Sequence, residues 1–136
     1  MQNQLCYCFS QKRYDDCCGR FISGQQTPLT PEALMRSRYT AYVTQNIDYI
    51  RSTMQDKALA NFDYMNALQF ASSVKWVGLQ VINNRIDNKN TNEGFVEFKA
   101  TYLHDGNLQI LHEKSKFLKK QHSWYYVDGE IIEQNN

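Results

Sequence analysis

The sequence predicts an α+β fold, helices first and about four antiparallel strands after them, behind a small cysteine-bearing segment. Three observations carry this. Apolar residues recur at helical spacing after Thr30, then switch to a period of two from Val74 onward. Asp105-Gly106-Asn107 is a tight hairpin signal between two alternating runs. All four cysteines lie between positions 6 and 18, and none follows.

The elements follow in order. Thr30-Pro31-Glu32 opens the first helix: Thr caps free N–H groups, Pro suits the first helical position, and Glu complements the positive helix end. This helix should run to about Gln45. Asn46 then caps a second, Ile47 to about Met54. A third, about Ala58 to Ala71, sets Leu59, Phe62, Met65 and Leu68 on one stripe. In the first strand Val77, Leu79 and Val81 alternate with Gly78, Gln80 and Ile82, and the Asn-rich run 83–92 supplies a turn. Val96, Phe98, Ala100 and Tyr102 share one face of the second strand. The third, Leu108–Leu118, places Leu111, Glu113, Ser115 and Phe117 opposite His112, Lys114 and Lys116. Gln121-His122 turns into a last strand, Ser123–Asp128, ended by Gly129. A sheet with one apolar face needs helices to cover it.

Composition narrows the function classes. Hydrophobic residues make up 42% and aromatics 13%, which is enough for a core and excludes wholesale disorder. A formal net charge of +1 argues against a nucleic-acid binder driven by charge. No run approaches the roughly 18 apolar residues that span a bilayer, so no membrane association is expected. The first residues lack the basic and apolar blocks of a signal peptide, so a cytoplasmic location is expected. In a reducing compartment, thiols tend to be metal ligands or catalysts.

The cysteine spacing is Cys6-x-Cys8-x8-Cys17-Cys18. Zinc needs four soft donors at tetrahedral corners. One turn can present Cys6 and Cys8, and the intervening residues loop back to bring Cys17 and Cys18. No histidine is near, so the expected site is all-thiolate and closed: one structural zinc with no position for a reacting water. Gly19 follows, where a positive φ would suit the chain. A Cys17–Cys18 bridge would be strained and a Cys6–Cys8 bridge would close a tiny ring, while cross-paired disulfides stay open as an alternative. A redox or nucleophilic cysteine has no partner close in sequence.

The stretch Cys6-Tyr-Cys8-Phe-Ser10-Gln-Lys12-Arg-Tyr14-Asp-Asp-Cys17-Cys18-Gly19 resembles a SEC-C motif, a zinc module. The usual pattern of that motif has glycines around the serine, and Phe9 and Gln11 stand in those places here. The resemblance continues through Pro31-Glu-Ala-Leu-Met35-Arg36-Ser37-Arg38-Tyr39-Thr-Ala-Tyr42, Trp76-Val-Gly78-Leu79, Gly94-Phe-Val96-Glu97-Phe98, Glu113-Lys-Ser115-Lys-Phe117 and Trp124-Tyr-Tyr126-Val-Asp128-Gly129. Together these resemble the YchJ-like proteins, which pair such a motif with an NTF2-like (cystatin-like) domain. The resemblance implies a zinc motif over residues 1–24 and, over residues 25–136, a curved antiparallel sheet packed on N-terminal helices. It names no activity.

The concave side of an NTF2-like sheet often forms a pocket. On the first helix Leu34, Met35, Tyr39, Ala41 and Tyr42 define an apolar stripe, with Arg38 inside it and Arg36 at its edge. Buried charges should find one another, so an Arg38–Glu113 or Arg36–Glu113 pair is expected, first as a structural ion pair that fixes the helix on the sheet and, in the sharper reading, as part of a pocket. The pocket candidates are Arg36, Arg38, Tyr39, Trp76, Glu113, Trp124 and Tyr126, with an anion or a carboxylate as the ligand. His104, His112 and His122 have no ligand-pair spacing and are expected in solvent. The reading that follows is a non-enzymatic zinc protein. Its knuckle would dock a protein or ribosomal partner, and its second domain would dimerise or take a small-molecule ligand. The alternative is an enzyme with Glu113 as acid/base. Zinc on four thiolates adds two negative charges, which takes the formal +1 to −1 and weakens any attraction to nucleic acid further.

Overall fold

A computed structural model describes residues 4–133. Helices α1 (Cys18–Ile22), α2 (Pro31–Val43), α3 (Ile47–Ser52), α4 (Asp56–Ala60) and α5 (Tyr64–Ser73) precede strands β1 (Val74–Ile86), β2 (Glu93–His104), β3 (Asn107–Lys120) and β4 (Ser123–Ile131). The strands form one antiparallel sheet in the order β1-β2-β3-β4, so every connection is a hairpin. The two tight loops, Asp105-Gly106 and Gln121-His122, carry positive φ at both residues, the twist-matched geometry of two-residue hairpins.

Helix α2 is stopped at both ends by side-chain and backbone caps. Thr30 Oγ1 accepts from Ala33 N at 3.1 Å. At the other end Gln45 turns left-handed at φ 59, and Asn46 N donates to Ala41 O and Gln45 N to Tyr42 O. This is a Schellman ending, which closes the helix two residues before the predicted Gln45. Asn46 then caps α3 through Tyr49 N at 3.1 Å. The predicted third helix is two helices. The chain breaks at 61–63, and Asp63 Oδ1 starts α5 by accepting from Asn66 N. The expected stripe holds at Phe62 and Leu68, which pack on the core beside Ala67 and Ala71, and fails at Leu59 and Met65, 41% and 62% exposed.

Three single-residue irregularities bend the sheet. Pairing skips Val77 and Ile82 in β1 and Val127 in β4. The first of these corrects the predicted alternation. Trp76 and Leu79 point inward, and Val77, which shares a sequence face with Leu79, is 38% exposed. β1 also continues to Ile86, through the first residues of the Asn-rich run, and β4 runs past Gly129 to Ile131.

Helix α2 lies in the concave face, and its burial is wider than one stripe. Leu34, Met35 and Tyr39 pack on the sheet, while Ser37 and Thr40 are also buried, on sides covered by α3 and by the cysteine segment. Burying the second side explains why the helix has little amphipathic contrast in sequence.

Candidate metal centre and interior chamber

The cysteine segment is a short hairpin. Leu5 bridges Arg13, Cys6 N donates to Lys12 O and Tyr14 N to Gln4 O. Its tip contains Phe9 at φ 62 and Gln11 at φ 70. The loop therefore keeps a left-handed backbone at the two places where the resembling motif has glycine. Ser10, between them, sets its Oγ 3.2 Å from Cys17 Sγ. A left-handed backbone costs a non-glycine residue about 1–2 kcal/mol, part of which glycine gives back as unfolded-chain entropy. Gln11→Gly, at an exposed side chain, is thus expected to stabilise the protein by about 0.5–1 kcal/mol, read by urea unfolding. Phe9→Gly should come out near neutral, because it also loses the edge contact with the Tyr39 ring at 6.3 Å.

The four Sγ atoms lie within 4.8 Å of one another, and all four cysteines are buried. Cys8 and Cys17 Sγ are 3.6 Å apart, and no cysteine is in a disulfide. A tetrahedron with Zn–S bonds of about 2.3 Å has edges of about 3.8 Å, so the donor set fits a single ion. Hydrogen bonds with Cys18 and Cys6 hold the Cys8 thiol well below its ordinary range, while those with Cys6 and Cys8 push Cys18 well up. Burial raises Cys17. A dication at the centre is what would let all four sulfurs ionise together.

Gly19 serves this site by closeness and not by a positive φ, which corrects the expectation. A Cβ there would lie 2.7 Å from the Tyr14 ring and 2.8 Å from its carbonyl oxygen. The cluster is joined to the rest of the chain. Cys6, Cys8, Cys17 and Cys18 share a core with Tyr39 and Ala100. Arg36 Nη1 donates to Cys8 O at 2.8 Å, and its Nε to Glu32 Oε2 at 2.9 Å. Arg36 therefore belongs to the cysteine segment and forms no pair with Glu113.

On the other side of α2, a chamber of about 150 Å³ sits between the helix layer and the sheet. Of the predicted residues Arg38, Tyr39, Trp76, Glu113 and Tyr126 line it, and Arg36 and Trp124 do not. Trp124 is buried elsewhere, with Nε1 donating to Leu29 O at 3.3 Å. Sequence reasoning left Tyr42 and Phe70 off the pocket set, and Ser115 too, although the alternation had placed it beside Glu113.

No ion pair joins Arg38 to Glu113 among the described residues. Arg38 Nη1 donates to Ile50 O at 2.8 Å and to Thr53 Oγ1 at 2.6 Å, and the guanidinium stacks 4.6 Å from the Tyr126 ring centre. Glu113 Oε2 accepts from Ser115 at 2.6 Å and from the Tyr126 hydroxyl at 2.9 Å. Tyr126 thus stands between the two charges, its face on the cation and its hydroxyl on the anion. Burial, then the Glu113 charge, raises the Tyr126 phenol well above its ordinary range, so it stays a donor. Burial lowers the Arg38 guanidinium, against the pull of Tyr42, Tyr126 and Glu113.

Two backbone features place Tyr126. The linker between α3 and α4 pairs with β4, where Tyr126 N donates to Thr53 O and Gln55 N to Tyr126 O. The bulge at Val127 then sets Tyr126 opposite Phe117 and Gly129 opposite Ser115. A Cβ at Gly129 would collide with the Tyr126 hydroxyl and lie 2.6 Å from Glu113 Oε2. Of the histidines, His104 and His122 are exposed as expected. His112 is not: its side chain is 13% exposed, with Nε2 2.7 Å from Glu97 Oε2.

Residues 30–129 match the family described as YchJ, middle NTF2-like domain. A UPF0225 protein of Serratia proteamaculans is 41% identical over 130 residues, covering 93% of this chain and 82% of that one. A SEC-C motif containing protein from Rhodopseudomonas palustris, known in solution structure, superposes with a TM-score of 0.86. It is 34% identical, covering 96% of this chain and 100% of that one. A SEC-C motif containing protein from Psychrobacter arcticus superposes with a TM-score of 0.80 at 27% identity, covering 99% and 86%. By the family match over residues 30–129 and the identity to these relatives, the present chain, a four-cysteine knuckle packed on a curved NTF2-like domain, belongs to the YchJ-like family.

Proposed function

We propose that the protein is a cytoplasmic, non-enzymatic zinc protein: the ion on Cys6, Cys8, Cys17 and Cys18 is structural, and the NTF2-like domain binds a ligand. The observation that carries the zinc half is the closed donor set, four buried sulfurs within 4.8 Å of one another. Such a set leaves no position for substrate or water. The SEC-C proteins it resembles support zinc over other soft ions. Location in the cytoplasm is supported by unpaired thiols and by the described residues, none of whose helices is long and apolar enough to cross a membrane. The knuckle also exposes Leu5 and Phe9, an apolar edge on which a protein or ribosomal partner could dock.

Elemental analysis of protein purified without chelator is expected to give about one zinc per chain, with thiols unreactive until the metal is stripped. Metal-free native protein with four reactive thiols would overturn the zinc reading.

One observation favours the second reading, an enzyme with Glu113 as acid/base: that carboxylate lines a chamber instead of being packed in a filled interior. It needs a reacting partner group that the ligand, and not the chain, would bring.

A further inference from the structure

The chamber at the centre of the sheet is specific enough to indicate what it takes. We infer that it binds a neutral single-ring molecule bearing a hydroxyl or N–H, with that group donating to Glu113. This deepens the ligand-binding half of the proposed function and rests on none of the cysteines.

Size sets the first limit. A cavity of about 150 Å³ holds one benzene-sized ring. The wall suits a ring, since Tyr39, Trp76 and Phe98 line it, and Trp76 already meets Tyr39 edge-on at 5.4 Å.

Charge sets the second. The wall holds one guanidinium, Arg38, and one carboxylate, Glu113, which already oppose each other across Tyr126. A charged ligand would leave one charge in excess in a low-dielectric interior.

Hydrogen bonding sets the third. Both hydroxyl donors to Glu113 go to Oε2, so Oε1 is left for a donor. The Trp76 indole N–H is buried with no partner among the described residues, so it can donate to an oxygen or nitrogen of the ligand. A wholly apolar ring would satisfy neither. A phenol-like or lactam-like group offers both a donor and an acceptor.

Access would come from a neighbouring groove. A larger groove of about 510 Å³, edged by Lys57, Asn61, Asp63 and Asn66, shares Arg38, Tyr42, Phe70 and Tyr126 with the chamber. Phe70, 37% exposed and edge-on to Trp76 at 5.8 Å, is the side chain whose rotation would widen the passage.

The test is a titration of the zinc-loaded full chain with phenol, benzene, benzoate and benzylammonium. It is read on the two tryptophan indole N–H resonances, assigned with Trp76→Phe. Phenol is expected to shift the Trp76 resonance saturably and to bind about tenfold tighter than the other three probes. Glu113→Gln should weaken phenol about tenfold and leave benzene unchanged. Preference for benzoate or benzylammonium overturns the ligand class and leaves the ligand-binding reading standing. No saturable shift with any probe overturns both.

Discussion

Stripping the metal from the cysteine cluster, or replacing Cys18 with Ser, is expected to lower the melting temperature by roughly 10 °C or more, a loss of about 3 kcal/mol or above. The size of the effect follows from how the knuckle is attached. Structural zinc is worth on the order of 10 kcal/mol to an isolated zinc-finger peptide, where it is nearly the whole fold. Here the hairpin of residues 4–17 has few apolar residues of its own, and its buried side chains are chiefly the cysteines. Without the ion, four buried sulfurs crowd one another with nothing at their centre, and the hairpin has no other core. Its loss uncovers Tyr39 and Thr40 on α2 and breaks the Arg36–Cys8 carbonyl bond. Amide exchange should therefore quicken over residues 4–22 and along the knuckle-facing side of α2, with β2 and β3 still protected. Acid should mimic chelation, because protons compete for thiolate ligands: the metal-dependent stability is present at neutral pH and is lost as pH falls. An unchanged melting curve with unchanged exchange after complete metal removal would show that the ion is not structural.

The cysteine cluster could be read before the fold because its spacing is local. Four thiols within thirteen positions, two of them adjacent, cannot be spread across a core. The meander was legible for the same reason, since Asp105-Gly106 and Gln121-His122 mark loops that the backbone confirms with positive φ. What the sequence hid is non-local. A bulge leaves no trace in a period of two until a strand is paired, so Val77, grouped with Leu79 and Val81, turned out to face solvent. The break between α4 and α5 rests on Asp63 acting as a cap within a pattern that also reads as one continuous helix. A helical wheel separates Arg38, inside the apolar stripe, from Arg36 at its edge, but it does not say what covers either side. The two part because the knuckle covers one side of α2 and the sheet the other, and only tertiary packing decides which arginine meets which. The predicted charge pair was right about the need for compensation and wrong about contact, since an aromatic ring does the joining.

That ring sets up the second large effect. Arg38→Met is expected to cost about 3–5 kcal/mol, measured by urea unfolding, although methionine can fill most of the same space. Arg38 is only 8% exposed. Its loss frees Thr53 and the Ile50 carbonyl from a charged donor, removes the cation from the Tyr126 face, and leaves Glu113 as a half-buried anion without a nearby cation. Glu113→Gln alone should cost less, about 1–2 kcal/mol, because the amide oxygen can still accept from Tyr126 and Ser115. The two changes together should cost less than their sum by about 1 kcal/mol or more, since removing both charges leaves neither uncompensated. The coupling has to pass through Tyr126, the residue in contact with both partners. In a Tyr126→Leu background, with its ring face and hydroxyl gone, the same cycle should shrink toward the bare Coulomb interaction. Strict additivity of Arg38→Met and Glu113→Gln would show instead that Arg38 is held by its bonds to α3 alone. A coupling that survives Tyr126→Leu undiminished would show that the two charges act on each other directly.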